Sequence, residues 1–169
     1  KSNLEILNMK SLENQRYFFF KYDGGFYRKE DYDYPDDLLK NYFEIGNTNN
    51  INPQIIKNRI IINTTRPVTI LLDNITMETD LSCIELGENT DVTLVLRGTN
   101  KLTSKNEAAI RVPESATLKI KAYVNSETGL VDGGILNATG GLYAAAIGGN
   151  QNAVAGTIHL EIGTYSLTG

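Results

Sequence analysis

The chain has 169 residues, 41% of them apolar and 21% charged, which suits one ordinary domain with a packed core rather than a disordered segment. Its net charge of −4, without any cluster of Lys or Arg, argues against nonspecific nucleic-acid binding, and no apolar run reaches the roughly 20 residues of a membrane-spanning helix. A single cysteine, Cys83, and a single histidine, His159, exclude an intrachain disulfide framework and a multi-cysteine or paired-histidine metal centre.

The opening KSNLEILNMK neither starts with Met nor carries an apolar leader and reads as a processed or excised piece. The first fifty residues then hold most of the aromatic side chains, in RYFFFKYDGGFYRKEDYDYPDDLLKNYFEIG. Arg16 to Lys21 is a β-favouring run, and Asp23-Gly24-Gly25 tolerates positive φ, so a hairpin returning through Phe26 to Arg28 is expected. Pro35 followed by Asp36 and Asp37 suits a helix start, because proline gives up an N–H that has no partner there and the acids face the positive end of the dipole. One short helix from Pro35 to Glu44 is therefore expected. GNTNNINP, Gly46 to Pro53, reads as a linker, dividing the chain into an N-terminal cap of hairpin plus helix, residues 1–50, and a repeat region, residues 51–169.

The repeat region is written in short β-branched strands. Val68-Thr69-Ile70-Leu71-Leu72-Asp73 recurs after 24 residues as Val92-Thr93-Leu94-Val95-Leu96-Arg97, and after another 24 as Ala116-Thr117-Leu118-Lys119-Ile120-Lys121. A fourth copy, Gly156-Thr157-Ile158-His159-Leu160-Glu161, comes 40 residues later. The first, third and fifth positions are small or apolar and share one face; the second is always Thr. A second strand keeps step: Ile60-Ile61-Ile62, Ile84-Glu85-Leu86, Ile110-Arg111-Val112 and Ile147-Gly148-Gly149, at intervals of 24, 26 and 37. A third, weaker strand starts at Ile75, Lys101, Leu136 and Tyr165, and an insertion from Asn125 to Gly134 accounts for the long interval. Similar strands two dozen residues apart, with dissimilar ones between them, stack like on like rather than as hairpins. The expected fold is all-β, a right-handed parallel β-helix with three strands per rung and about four rungs, closed by the small N-terminal α+β cap. A β-sandwich of short strands is the competing reading. Stacking places Val68, Val92, Ala116 and Gly156 in one column, and the threonines in another. Asn50, Asn74, Asn100 and Asn125, spaced 24, 26 and 25 apart, suggest a corner ladder.

The run VTILLDNITMETDLSCIELGENTDVTLVLRGTNKLTSKNEAAIRVPESATLKIKA resembles the right-handed β-helix modules of carbohydrate-binding-domain-containing proteins on bacterial cell surfaces. AAAIGGNQNAVAGTIHLEIGTYSLTG is similar to the Gly-rich repeat of related adhesin-like surface proteins, so the resemblance spans about Ile60 to Gly169. It implies a pectate-lyase-like helix, secreted or exposed on the cell surface, that binds polysaccharide, sometimes with calcium and usually without catalysis.

Outward positions on the stacked strands supply the candidate site. Arg97, Lys119 and Lys121 form a small basic strip suited to the carboxylates of an acidic polysaccharide, with the hydroxyls of Thr93 and Thr117 beside them. The Asp73–Arg97 and Glu85–Arg111 steps place opposite charges on neighbouring strands, which helps set register. The acids of the repeat region scatter over different faces, so no catalytic carboxylate pair and no metal ligand set is expected, and an enzyme is the weaker reading beside a binding module. The alternatives are a lyase- or hydrolase-like enzyme of the same fold, or a structural spacer. No organic cofactor is implied. Calcium, if bound, would find its acids in the run Glu30 to Asp37. The expected partners are polysaccharide and, through an open strand edge after the last repeat, a second copy end to end; nucleic acid and membrane insertion are not expected. The tyrosines at 17, 22, 27, 32 and 34 read as a cover for the first rung.

Overall fold

The computed structural model describes residues 4–7, 18–21, 25–28, 42–46, 53–56, 59–64 and 67–169. The first coil of backbone starts with β1 (Leu4–Leu7), carries the antiparallel hairpin of β2 (Phe18–Lys21) and β3 (Gly25–Arg28), and continues through β4 (Tyr42–Gly46) and β5 (Gln54–Ile56). The second coil is β6 (Ile60–Asn63), β7 (Val68–Asp73) and β8 (Ile75–Thr79); the third is β9 (Ile84–Leu86), β10 (Asp91–Arg97) and β11 (Thr99–Ser104). The fourth is β12 (Ile110–Arg111), β13 (Thr117–Ala122) and β14 (Ile135–Thr139), and the fifth is β15 (Ile147–Gly148), β16 (Thr157–Leu160) and β17 (Thr164–Thr168).

Corresponding strands stack in parallel. The first sheet runs β1-β6-β9-β12-β15, the second β4-β7-β10-β13-β16, and the third β5-β8-β11-β14-β17. The chain is thus a right-handed parallel β-helix with three strands per coil, and five coils rather than four are present among the described residues. The additional coil runs from Leu4 to Ile56, most of it within the first fifty residues. There the expected hairpin forms as β2 and β3, but the expected helix does not hold at its end, because Tyr42 to Glu44 belong to β4 and pair with β7. The remainder of that expected helix, residues 35–41, lies outside the described residues, as do the acidic run Glu30 to Asp37 and four of the five tyrosines expected to cover the first rung. No helix occurs among the described residues.

Alternation along each strand explains the core. In the second sheet Val68 registers on Val92, Val92 on Leu118, and Leu118 on Ile158; the next column is Ile70, Leu94, Ile120 and Leu160. Leu94 and Ile120 are fully buried there. This corrects the expected column, since Val92 meets Leu118 and not Ala116. The coil that separates them is 26 residues long: one residue is added at the corner before Lys101, and another before Ile110. A shift of two keeps inward residues inward, so Ala116 is still buried. The first-sheet column Ile60, Ile84, Ile110 and Ile147 is as expected.

The corner between the second and third sheets turns on left-handed residues, Gly46 (φ 107°), Asn74 (φ 55°), Gly98 (φ 68°) and Gly134 (φ 65°). A Cβ on Gly98 would stand 3.1 Å from the Asn74 Cβ, so the two positions lie one above the other. Asn74 N–H donates to Arg97 O at 3.0 Å, and Ile135 N–H to Gly98 O at 3.0 Å, which ties the coils through the corner. Among the described residues no asparagine ladder forms. Asn74 is followed by Gly98, Asn100 enters the core, Asn125 begins the turn of the insertion, and Asn50 lies outside the described residues.

Candidate functional site

All five expected site residues fall on β10 and β13, turned away from the core on the outer face of the second sheet. Register places Thr69, Thr93, Lys119 and His159 in one column, and Leu71, Val95 and Lys121 in the next. Thr117 sits between Asp91 and Thr157. The threonines therefore do not form one continuous column: Thr93 borders Lys119, and Thr117 borders Thr157.

Lys119 and Lys121 project from the same strand. Lys121 is exposed, and the Lys119 ammonium lies 3.9 Å from a Glu161 carboxylate oxygen, both side chains being about half exposed. Such a pair is worth little and is readily exchanged for another anion. Arg97 is committed differently. Its Nε and Nη2 donate to Asp73 Oδ2 at 3.1 and 2.6 Å, and its guanidinium lies 4.8 Å from the Tyr123 ring centroid. Asp73 is almost fully buried, and its Oδ1 finds no hydrogen-bond partner among the described residues. Arg97 therefore neutralises a buried carboxylate and belongs to the structure of the corner, while the lysines are the cations offered to solvent.

A second charged array occupies the outer face of the first sheet. Glu85 accepts from Arg59 Nη2 at 3.0 Å through one oxygen and from Arg111 Nη1 at 2.5 Å through the other. The Glu85–Arg111 step was legible as a one-rung charge pair. Arg59 was not, because it precedes β6 and reaches Glu85 diagonally across the strands. Arg59 Nε also donates to Ser82 O at 2.7 Å, and Ser82 donates through its N–H and hydroxyl to Glu107 Oε2 at 3.0 and 2.9 Å. Partial burial alone would raise the Glu107 carboxyl. The two Ser82 donors and the charges of Arg59 and Arg111 outweigh it and hold the group below the ordinary carboxylate range. Beside this array lies an open groove of about 270 Å³, lined by Ile61, Asn63, Glu85, Glu88, Arg111 and Pro113.

Cys83 is buried against Thr79 and Thr103 O, and burial pushes its thiol up, which makes it a poor nucleophile. Among the described residues, no three His, Cys, Asp or Glu side chains converge as a metal set. The described surface therefore offers ammonium, guanidinium and hydroxyl donors arranged on two sheet faces, chemistry suited to holding a polar or anionic ligand. No protein-family model matches the chain, and neither a curated protein nor a solved structure shows significant similarity to it.

Proposed function

We propose that the chain is a polysaccharide-binding or adhesive module without catalysis, secreted or exposed on a cell surface, of the build found in pectate-lyase-like β-helices. The observation that carries this reading is the pair Lys119 and Lys121, on outward positions of one strand, with Thr93 and Thr117 as neighbouring hydroxyls. The lysines stand two residues apart on one strand, about 6.6 Å, and Thr93 lies one strand spacing, about 4.8 Å, from Lys119, so a long polymer can meet several of these groups at once. Acidic polysaccharide is the ligand class that matches the lysines.

Affinity electrophoresis in gels containing alginate, against gels containing neutral dextran, tests the reading. The expected result is saturable retardation by alginate, weakened by salt and reduced about tenfold in affinity by Lys119→Ala with Lys121→Ala. Release of unsaturated or reducing products would instead make the chain an enzyme of this fold, and equal retardation by dextran would remove the role of the lysines. Repeating the measurement with a calcium chelator tests the acidic run Glu30 to Asp37 as an ion site.

A spacer that joins end to end is favoured by a different observation. On the fifth coil, Leu160 and Leu167 are 43% and 42% exposed although their register partners Ile120 and Ala138 are buried, and Ile162, just past β16, is 71% exposed. Paired against a second copy, they would be covered. Sedimentation velocity over a concentration series should then show dimers that Leu160→Lys with Ile162→Lys abolishes, and a monomer at every concentration would overturn this second reading.

A further inference from the structure

We infer that the groove on the first sheet is a discrete binding subsite for one carboxylate-bearing sugar ring, with Arg111 as its anchor. Resting on the polysaccharide reading for its ligand class, the inference uses none of the residues that carry that reading. Arg111 spends only Nη1 on Glu85; its other N–H groups have no partner among the described residues, and its side chain is 38% exposed. The next coil places Gly148 beside it in register, at φ 139°, so that position adds no side chain of its own next to Arg111, and the nearest groups there are the small methyls of Ala145 and Ala155. Arg59 and Arg111 face both Glu85 and Glu107, so the array is close to neutral and Arg111 offers hydrogen-bond donors rather than surplus charge. A planar guanidinium fork with two free N–H groups matches a carboxylate.

The rest of the groove suits the ring that bears it. Ile61 and Pro113 offer apolar surface, while Asn63 and Glu88 add polar groups to the lining. Glu88 accepts from the Ser115 hydroxyl, and Ser115 Oγ accepts in turn from Asn89 N–H at 2.9 Å, which fixes the carboxylate where ring hydroxyls can donate to it. A volume of about 270 Å³ falls at the small end of ligand sites, sized for one ring rather than a chain.

The test is a ¹⁵N-resolved NMR titration of the full chain with methyl glucuronide, methyl glucoside and acetate as separate probes. The glucuronide should shift Arg111 Nε–H and the amides of Gly87 and Glu88 at millimolar concentration, with the glucoside and acetate roughly tenfold weaker or silent. The same shifts should persist in Lys119→Ala with Lys121→Ala, and fall roughly tenfold in Arg111→Lys, which keeps the charge and loses the fork. Because the Arg111 Nε–H signal is read in the unmodified chain, the test survives a variant that does not fold. Equal response to the glucoside overturns the carboxylate anchor, and equal response to acetate overturns the sugar ring. Shifts confined to the second sheet overturn the subsite while leaving the lysine face standing, and no shift anywhere with retained alginate binding overturns the subsite alone. Loss of both responses overturns the two together.

Discussion

Asn100 shows how one polar side chain can be worth more inside the coil than an apolar one. It is fully buried in the third sheet, beside Leu136 in register. Its Oδ1 accepts from Ile75 N–H at 3.0 Å, and its Nδ2 donates to Arg97 O at 3.2 Å, so it pairs the Ile75 amide and gives a second donor to a corner carbonyl that also accepts from Asn74 N–H. Asn100→Leu improves the hydrophobic pattern yet should cost about 1–3 kcal/mol, read as a lower urea midpoint at unchanged slope. A neutral or stabilising result would mean that water or a relaxed corner replaces the amide. Glu107 makes a pH-dependent contribution. Its carboxyl is held lower in the folded chain than in the unfolded one, so the stabilisation is present above the ordinary carboxylate range and is lost as pH falls through the depressed value. Urea titrations from neutral pH to about pH 3 should show a shallower acid loss for Glu107→Gln than for the parent chain. Parallel curves would contradict this.

Corners and insertions, rather than strands, set the spacing of the elements. The strands were legible because β-branched and Leu residues alternate with polar ones every second position, and the 24-residue interval survives between β7 and β10. The register of β13 was not, because Ala116-Thr117-Leu118 copies the pattern of Val92-Thr93-Leu94. The clue lay in the preceding strand: Ile84 to Ile110 spans 26 residues, and carrying that interval forward puts Leu118 opposite Val92. Two residues taken up in corners leave no mark on the alternation of a strand. The same slip paired Thr93 with Thr117 and so obscured the contact of Thr93 with Lys119. The insertion, by contrast, was read correctly as a surface excursion. Val124 and Val131 close it with a single antiparallel bridge, Asn125 Oδ1 accepts from the Glu127 and Thr128 amides, and Leu130 is 68% exposed. Replacing residues 125–130 with a two-residue turn should leave stability within about 1 kcal/mol, measured by denaturation, since loop closure depends weakly on length. A larger loss would assign the insertion a packing role.

At the scale of the molecule, each coil buries its apolar face only against its neighbours, so stability grows with the number stacked. The first coil was the part least legible in the sequence. Asp-Asp-Leu-Leu-Lys-Asn-Tyr-Phe fits a helix by local propensity, but Tyr42 and Phe43 at its end belong to β4, whose pairing with β7 sets Ile45 beside Leu72, both fully buried, and there the tertiary gain overrides the local preference. Both faces proposed for binding depend on the same stacking, because it alone sets Lys119 against Thr93 and Arg111 against Glu85. The direct measurement is the set of cross-strand backbone nuclear Overhauser effects in the second sheet. Parallel stacking in the stated register predicts that Val92 contacts Val68 on one side and Leu118 on the other, and that Leu118 contacts Ile158. Contacts of Val92 with Ala116, or an antiparallel pattern between β7 and β10, would contradict it.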